Sequence, residues 1–290
     1  MKKIIILIPI FNDWKSLYKL IYKINSEISD SKFEFSIIIV NDASTENRKE
    51  ISFNCENLKS IKIINMRHNI GQSRCNASGL KFIFENEEFD YVLPMDGDGE
   101  DRPEEIKNFL KNSDNLVDKP IVAERVERSE GKIFKICYMI HKILTLILTG
   151  KSIKFGHFTL LPRKIVNQLI NEKATWSNFS GSLTKILKTK ISIPSIRGKR
   201  YFDKSKMSYF NLILHSLSIM SVFKINLFFR FLVLIAFYIY FIYQNISIIT
   251  LIPIFFVIIF IFLIIIMSRR ESLEKLNSSL RNITSIEKIK

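Results

Sequence analysis

Two carboxylates that stand one residue apart after an apolar run offer the clearest chemistry in this sequence. Asp96 and Asp98 flank Gly97 directly after Tyr91–Met95. If the chain bends at the glycine, both carboxylates can face one point, and such oxygen ligands suit a hard divalent cation, Mg²⁺ or Mn²⁺. An ion held there can bridge two phosphates and neutralise the charge that builds on a diphosphate leaving group. An Asp-x-Asp pair is common in turns, so its place after a buried strand is what indicates a metal site.

Further acids follow two earlier apolar runs. Asp13 closes the run that begins at Ile4, and Asp42 comes two residues after Val40. At such a position an acid can hydrogen-bond the base or ribose of a nucleotide. Asp42 can equally cap the next helix, and the sequence leaves both interpretations open.

A third polar segment, Asn69-Ile70-Gly71, opens a helical pattern that carries Arg74. The amide end of this helix and Arg74 can together meet a phosphate or a sugar. Plain helix capping explains the same residues equally well.

The elements that must position these residues alternate between strand and helix over residues 1–125. Short β-branched or aromatic runs predict strands at Ile4–Ile8, Phe35–Val40, Ser60–Asn65, Tyr91–Met95 and Pro120–Ala123. Helical spacing fills the segments between them. This alternation is typical of an α/β fold with a mostly parallel sheet covered by helices on both faces. Ligands of such sheets bind at the carboxyl ends of the strands, so we expect the polar clusters to converge on one edge.

The segment Phe231–Met267 is almost uncharged and too long for one crossing of a hydrocarbon core, which takes about 20 helical residues. We therefore predict two transmembrane helices within residues 223–268. The first begins near Leu227, the second covers about Ile248–Met267, and the turn lies at Gln244-Asn245. A buried helical hairpin in a soluble core is the alternative, although so long an uncharged run is rare in soluble domains.

Basic residues flank this apolar segment and are missing from its turn. They are Lys224 and Arg230 before it and Arg269 and Arg270 after it. By the positive-inside rule, both ends are predicted to be cytoplasmic, which places the chain in the cytoplasmic membrane. Residues 269–290 are predicted to form a basic cytoplasmic tail, either a surface helix or disorder.

The net charge of +15, from 43 Lys and Arg against 28 Asp and Glu, favours anionic partners. A basic loop precedes a predicted membrane-proximal helix at about residues 208–223, where it can collect a phosphate at headgroup level. Its cations are Arg197, Lys199, Arg200, Lys204 and Lys206. A pattern with one apolar face predicts an interfacial helix over about residues 131–149. The alternatives are a polybasic patch without specificity and an ordinary helix packed on the sheet.

Taken in order, these motifs resemble family 2 glycosyltransferases of the GT-A fold. Within that family they are similar to the polyprenyl-phosphate sugar transferases, which include the dolichyl-phosphate mannose synthases. The resemblance covers about residues 1–222, and an apolar hairpin follows in that subgroup too. The segments that carry it are Pro9–Asp13, Val40–Ser44, Asn69–Gly71, Met95–Glu105, Gly156–Arg163 and Arg197–Met207.

The resemblance implies a role for each matching residue. Pro9, Asp13 and Asp42 would line the nucleotide pocket, Asp96 would sit near nucleotide and sugar, and Asp98 would bind the metal. Two arginines, Arg125 and Arg128, lie just past the fifth predicted strand. The basic loop would grip the donor diphosphate or a lipid phosphate through Lys199, Arg200, Ser205 and Lys206.

Two residues depart from the pattern of these relatives. His157 stands where an acid is common, and Thr159 stands where arginine is common. A phosphate acceptor is already anionic and needs little help from a base, whereas a hydroxyl acceptor needs one. Since imidazole titrates near neutral pH, His157 is the candidate base for a hydroxyl acceptor.

The sequence thus predicts an inverting, metal-dependent hexosyltransferase with a cytoplasmic domain of residues 1–222. Its donor would be a nucleotide-diphosphate sugar of the UDP-glucose or GDP-mannose type, and its acceptor a membrane polyprenyl phosphate. A hydroxyl of a glycolipid or polysaccharide is the alternative acceptor, and a non-catalytic basic membrane scaffold is the alternative of another class. A nucleic-acid partner is not expected, because it leaves the apolar hairpin unexplained. The hairpins of several copies can pack together, so a homo-oligomer is possible.

Overall fold

The computed structural model describes residues 1–48, 54–113, 119–127, 132–202 and 209–290. Within these residues the chain forms a mixed eight-stranded sheet in the order β7-β5-β6-β4-β1-β2-β3-β8. The strands are β1 (Lys3–Ile10), β2 (Glu34–Asn41), β3 (Leu58–Met66), β4 (Tyr91–Pro94), β5 (Ile121–Glu127), β6 (Phe155–Pro162), β7 (Ile191–Ile196) and β8 (Ile283–Lys288).

Helices occupy most of the connections. They are α1 (Trp14–Glu27), α2 (Gln72–Asn86), α3 (Ile106–Ser113), α4 (Lys132–Thr149), α5 (Arg163–Ile170), α6 (Phe179–Ile186), α7 (Tyr209–Ser221), α8 (Lys224–Ile242), α9 (Ile248–Ser268) and α10 (Leu273–Asn277).

The five predicted strands are present, and most of the sheet is parallel. β1 pairs in parallel with β2 and β4, β2 with β3, and β5 with β7. The sequence interpretation missed β6, which lies antiparallel between β4 and β5. Because β6 runs in reverse, its first residues lie at the same edge as the carboxyl ends of β1, β2, β4, β5 and β7. This edge is called the catalytic edge below.

Side-chain alternation along β1 builds the two core layers, since successive residues of a strand point to opposite faces. Ile4, Ile6 and Ile8 pack with α1 on one face. Ile5 and Leu7 pack with α2 on the other. Both faces of this central strand are therefore buried, as its unbroken apolar run predicts.

Among the residues that the structure describes, two helices are long and apolar enough to cross a membrane. The apolar stretches run over Lys224–Asn245 and Ile248–Asn277, with mean hydropathies of 2.2 and 3.4. Only 11% and 6% of their most apolar windows are buried inside the protein. The turn between them is a 3-10 helix at Tyr243–Asn245, which contains the predicted turn.

The segment after α9 corrects the sequence interpretation, which predicted a surface helix or disorder for residues 269–290. The short helix α10 buries Leu276 against Ala77 and Trp176. β8 then pairs antiparallel with β3. The reason is tertiary: β3 would otherwise leave an edge of unpaired N–H and C=O groups, which natural sheets cover.

Candidate active site

A cavity of about 210 Å³ opens at the catalytic edge. Its lining residues are Pro9, Ile10, Phe11, Asp13, Asp42, Gln72, Asp96, Gly97, Asp98 and Arg200. The predicted site residues Pro9, Asp13, Asp42, Asp96, Asp98 and Arg200 are thus brought together. Four other predicted residues, Arg74, Arg125, His157 and Lys199, do not line this cavity. Arg128, Ser205 and Lys206 fall outside the described residues.

The turn after β4 gathers three acids. Asp96, Asp98 and Glu100 each offer one carboxylate oxygen, and these oxygens all lie within 4.8 Å of one another. Burial, the charge of Asp96 and the charge of Glu100 raise the pKa of Asp98 to about 6. Such mutual repulsion is what a bound cation relieves, and the all-oxygen donor set suits Mg²⁺ or Mn²⁺. The donors present therefore fit a hard divalent ion.

Glu100 was missed in the sequence interpretation. The signal that points to it is the alternation Asp96-x-Asp98-x-Glu100, which places a third acid on the same turn. Arg197 forms an ion pair with Glu100 in the structure.

Asp96 is held from several sides. Gln72 donates from Nε2 to Asp96 Oδ1 at 2.5 Å, and the backbone N–H of Asp96 donates to Asp101 Oδ2 at 2.9 Å. Burial alone would raise the pKa of Asp96, but the charges of His157 and Arg197 outweigh it and the pKa is lowered. Burial and the charge of Asp96 raise the pKa of Asp101 to about 7.

The loop after β7 lies directly on the acidic turn. Gly198 donates its N–H to the carbonyl of Glu100 at 2.8 Å, and Tyr201 donates its N–H to the carbonyl of Asp98 at 2.9 Å. This backbone pairing delivers Arg200, which donates to Asp98 Oδ2 at 2.7 Å and to Asp13 Oδ2 at 2.9 Å. A guanidinium cation thus stands inside the acidic cavity, next to the candidate metal ligands.

The contact between the two loops explains why position 99 is a glycine. Gly99 has a φ of +85°, and a Cβ built there would lie 2.5 Å from the ring of Tyr201. Any other residue at this position would therefore strain the backbone and displace the loop that carries Arg200.

At the opposite side of the cavity, Asp42 is buried and holds the loop before α2. Its carboxylate accepts hydrogen bonds from the backbone N–H groups of Ile70 and Gly71, at 2.7 and 2.9 Å. These N–H groups precede α2, whose N-cap Gly71 has no side-chain capping bond, so Asp42 does not play the predicted capping role. The same side chain also lines the cavity. Arg74 lies against the ring of Trp176, with its Cζ 5.7 Å from the ring centroid.

His157 and Arg125 lie behind the acidic turn. Arg125 belongs to β5, so it does not lie past that strand as predicted. A Cβ at Gly156 would lie 2.6 Å from its guanidinium, so the glycine lets the arginine pass. His157 Nδ1 is 4.0 Å from Asp96 Oδ1, and its ring lies 5.1 Å from that of Phe179.

The protonation of His157 follows from this position. Burial lowers the pKa of His157, Arg125 lowers it further, and the charge of Asp96 opposes both; the net direction is down. Its surroundings therefore favour the neutral imidazole over the charged one. Its Nε2 atom is buried and has no hydrogen-bond partner among the described residues.

Solved structures are similar to this chain at low sequence identity. Glucosyl-3-phosphoglycerate synthase from Mycobacterium tuberculosis, in complex with Mn²⁺, uridine-diphosphate-glucose and phosphoglyceric acid, matches with a TM-score of 0.52 and 12% identity. The match covers 78% of this chain and 80% of that one. Residues 1–349 of TarS from S. aureus match with a TM-score of 0.48 and 13% identity, over 78% of this chain and 65% of that one. This chain thus spans less than two thirds of the TarS fragment.

A family match covers most of the sheet and the acidic turn. The sequence model of "Glycosyl transferase family 2" matches residues 5–169, more than half of the 290 residues. The matched stretch contains Asp13, Asp42, Asp96, Asp98 and His157. The chain therefore belongs to glycosyl transferase family 2, as its motifs predict.

Proposed function

We propose that this glycosyltransferase moves a hexose from a nucleotide-diphosphate sugar to a membrane polyprenyl phosphate, with Mg²⁺ or Mn²⁺ bound by Asp96, Asp98 and Glu100. The donor would be of the UDP-glucose or GDP-mannose type. The observation that supports a nucleotide-sugar donor is the cavity. Asp42, Asp96, Asp98 and Arg200 line it, and Glu100 belongs to the same acid group at its border. The Mycobacterium tuberculosis structure with Mn²⁺ and uridine-diphosphate-glucose supports the same assignment.

The transfer would be a single displacement. A phosphate oxygen of the acceptor attacks C1 of the sugar, the bond between C1 and the diphosphate oxygen breaks, and the nucleotide diphosphate leaves with that electron pair. A bound divalent ion would supply charge neutralisation for the leaving diphosphate. Asp13 and Asp98 hold Arg200 in place at 2.9 and 2.7 Å, which preorganises a cation beside the developing negative charge.

The path of the chain supports an acceptor in the membrane. α4 leaves β5 at the catalytic edge and returns to β6 at the same edge, and it packs against α7 and α8. Leu148 of α4 belongs to the same buried cluster as Leu227 of α8, and Arg230 of α8 donates to the carbonyl of Ile147 at 2.8 Å. The apolar helices thus attach next to the catalytic edge.

The other side of α4 exposes apolar side chains, as an interfacial helix does. They are Met139, Ile140, Ile143, Leu144, Leu146 and Ile147. We propose that this helix and α7 border the membrane surface, that α8 and α9 span the cytoplasmic membrane, and that residues 1–222 face the cytoplasm.

His157 separates the two acceptor classes. A base for a hydroxyl acceptor needs an open nitrogen within hydrogen-bond reach of that acceptor. Nε2 of His157 is buried, and Nδ1 faces Asp96. This arrangement favours an acceptor that is already ionised, which is a phosphate.

The test uses membranes that contain the protein. They are incubated with labelled nucleotide sugars and Mg²⁺ or Mn²⁺, and the extracted lipid is treated with mild acid. We expect an acid-labile labelled lipid, the mark of a sugar phosphate ester, and its loss in Asp98→Ala. A labelled lipid that resists mild acid, together with a large loss of turnover in His157→Ala, would instead establish the hydroxyl acceptor.

A further inference from the structure

Side-chain hydrogen bonds link β8, the last strand of the chain, to the side of the cavity that Asp42 lines. β8 pairs with β3 so that Ser285 stands opposite Asn65 and Glu287 opposite Ile63. Asn65 is near the carboxyl end of β3, so its side chain lies close to the catalytic edge. The strand that follows the apolar hairpin therefore ends up beside the turn after β2.

Hydrogen bonds run without a break from Glu287 to that turn. Asn65 donates from Nδ2 to Glu287 Oε1 at 2.6 Å, and Asn41 donates from Nδ2 to Asn65 Oδ1 at 2.8 Å. The N–H of Ser44 donates to Asn41 Oδ1 at 3.0 Å. Ser44 Oγ in turn accepts from the N–H of Asn12 at 3.0 Å, which ties the turn after β2 to the turn after β1.

A second set of contacts, made by the other carboxylate oxygen of Glu287, reaches the same turn. Arg48 lies 2.7 Å from Glu287 Oε2, and its guanidinium stands over the ring of Trp14 at 6.0 Å from the centroid. Trp14 Nε1 donates to the carbonyl of Glu46 at 3.2 Å. Both oxygens of one carboxylate thus act on the segment from residue 41 to residue 48.

This turn requires support from its surroundings. Ala43 in this turn has a φ of 55°, and Asn12 in the turn after β1 has a φ of 49°; both lie in the left-handed region. Conformations of this kind persist where neighbouring contacts over-determine them. Asp42, next to Ala43, lines the cavity, so the conformation of the turn sets where that carboxylate points.

We infer that Glu287 is a positioning residue: through Asn65 and Asn41 it fixes the turn that places Asp42 in the cavity. Glu287 pairs with Asn65 and Arg48, so its effect falls on the side of the cavity that Asp42 lines. The link to catalysis rests on the proposed function in one respect, that this side holds the nucleotide of the donor.

The hydrogen bonds from Glu287 through Asn65 and Asn41 are called the relay below. Amide hydrogen exchange of the full-length protein in detergent tests the relay directly. Glu287→Ala removes the contacts with both Asn65 and Arg48. Glu287→Gln keeps an acceptor for Asn65 but loses the charge that pairs with Arg48. Thr284→Val is the matched control in the same strand, because Thr284 donates to the backbone carbonyl of Asn65 at 3.0 Å and leaves the relay intact. We expect exchange in a peptide over residues 41–48 to rise about tenfold in Glu287→Ala, less in Glu287→Gln and not in Thr284→Val.

A binding measurement with UDP and Mn²⁺ extends the test to the site. Loosening the turn should weaken UDP about three- to tenfold in Glu287→Ala, with thermal stability close to that of Thr284→Val. Unchanged exchange in Glu287→Ala, or an equal rise in Thr284→Val, would overturn the inference. If exchange responds as expected but neither UDP nor GDP binds to the wild-type protein, the relay stands and the donor assignment fails.

Discussion

Arg200 donates from its guanidinium to Asp98 over 2.7 Å, although the two residues are 102 positions apart in the sequence. The bond exists because the loop after β7 pairs its backbone with the acidic turn after β4. Arg200 is therefore a built part of the site and not a mobile surface cation.

Replacing this arginine should reduce the transfer rate strongly. In the proposed transfer, Arg200→Ala removes a preorganised cation next to the leaving group, for which losses of about 100-fold in kcat are typical. Arg200→Lys should recover part of the rate, since it keeps the charge but loses the fork that contacts Asp98 and Asp13 together. The measurement is the initial rate of transfer into lipid at saturating donor, with the exposed Lys188→Ala as control. Equal rates for the Arg200 and Lys188 variants would contradict this role.

Cation binding should depend on pH through Asp98. Its pKa of about 6 means that the carboxyl is mostly protonated at pH 5 and mostly ionised at pH 7. A divalent ion binds the ionised form. The apparent affinity for Mn²⁺ should therefore fall by up to about tenfold for each pH unit below 6.

Calorimetric titration with Mn²⁺ at several pH values tests this dependence. Asp98→Asn should bind Mn²⁺ weakly and lose most of the slope. Glu100→Gln should also bind more weakly, because Glu100 supplies the third oxygen of the group. A wild-type affinity that stays constant from pH 5 to 7 would contradict the coupling.

The position of the acidic turn could be predicted from sequence for a local reason. A buried apolar run followed by Asp-Gly-Asp indicates both the strand and the turn. The carboxyl ends of parallel strands then lie at one edge of the sheet. The same reasoning placed Asp13 and Asp42 at that edge. What it could not supply was the contact of Arg200 with Asp13, which joins residues 187 positions apart.

Residues that depend on tertiary pairing were harder to place. β8 contains the polar sequence Ile283-Thr284-Ser285-Ile286-Glu287-Lys288 and becomes a strand because β3 offers an open edge. β6 was recognised as a motif and not as a strand, and its antiparallel insertion turns His157 toward Asp96. Whether His157 is buried follows from that insertion and from Phe179, neither of which the local sequence reports.

The contact between Gly99 and Tyr201 gives a prediction for stability. Gly99→Ala should lower the free energy of unfolding by about 1–2 kcal/mol for the left-handed backbone alone, with a further loss from the clash. Tyr201→Ala in the same chain should restore the part due to the clash and leave the backbone part. Thermal unfolding of the two single variants and the double variant measures the coupling. Additive losses would show that the ring and the glycine do not contact each other.

The buried carboxyl of Asp101 should make stability depend on pH. Its pKa is about 7 in the folded protein against about 4 for an ordinary aspartate. The metal-free folded state therefore binds more protons than the unfolded state between these values, and the contribution of Asp101 to stability falls as pH rises from about 4 through 7. Asp101→Asn removes this titration but keeps an acceptor for the N–H of Asp96. The difference in Tm between Asp101→Asn and the wild type, measured with a chelator present, should grow in favour of the variant from pH 5 to pH 8. The exposed Glu88→Gln should show no such trend, and a constant offset for Asp101→Asn would mean that Asp101 is ionised in the folded protein throughout this range.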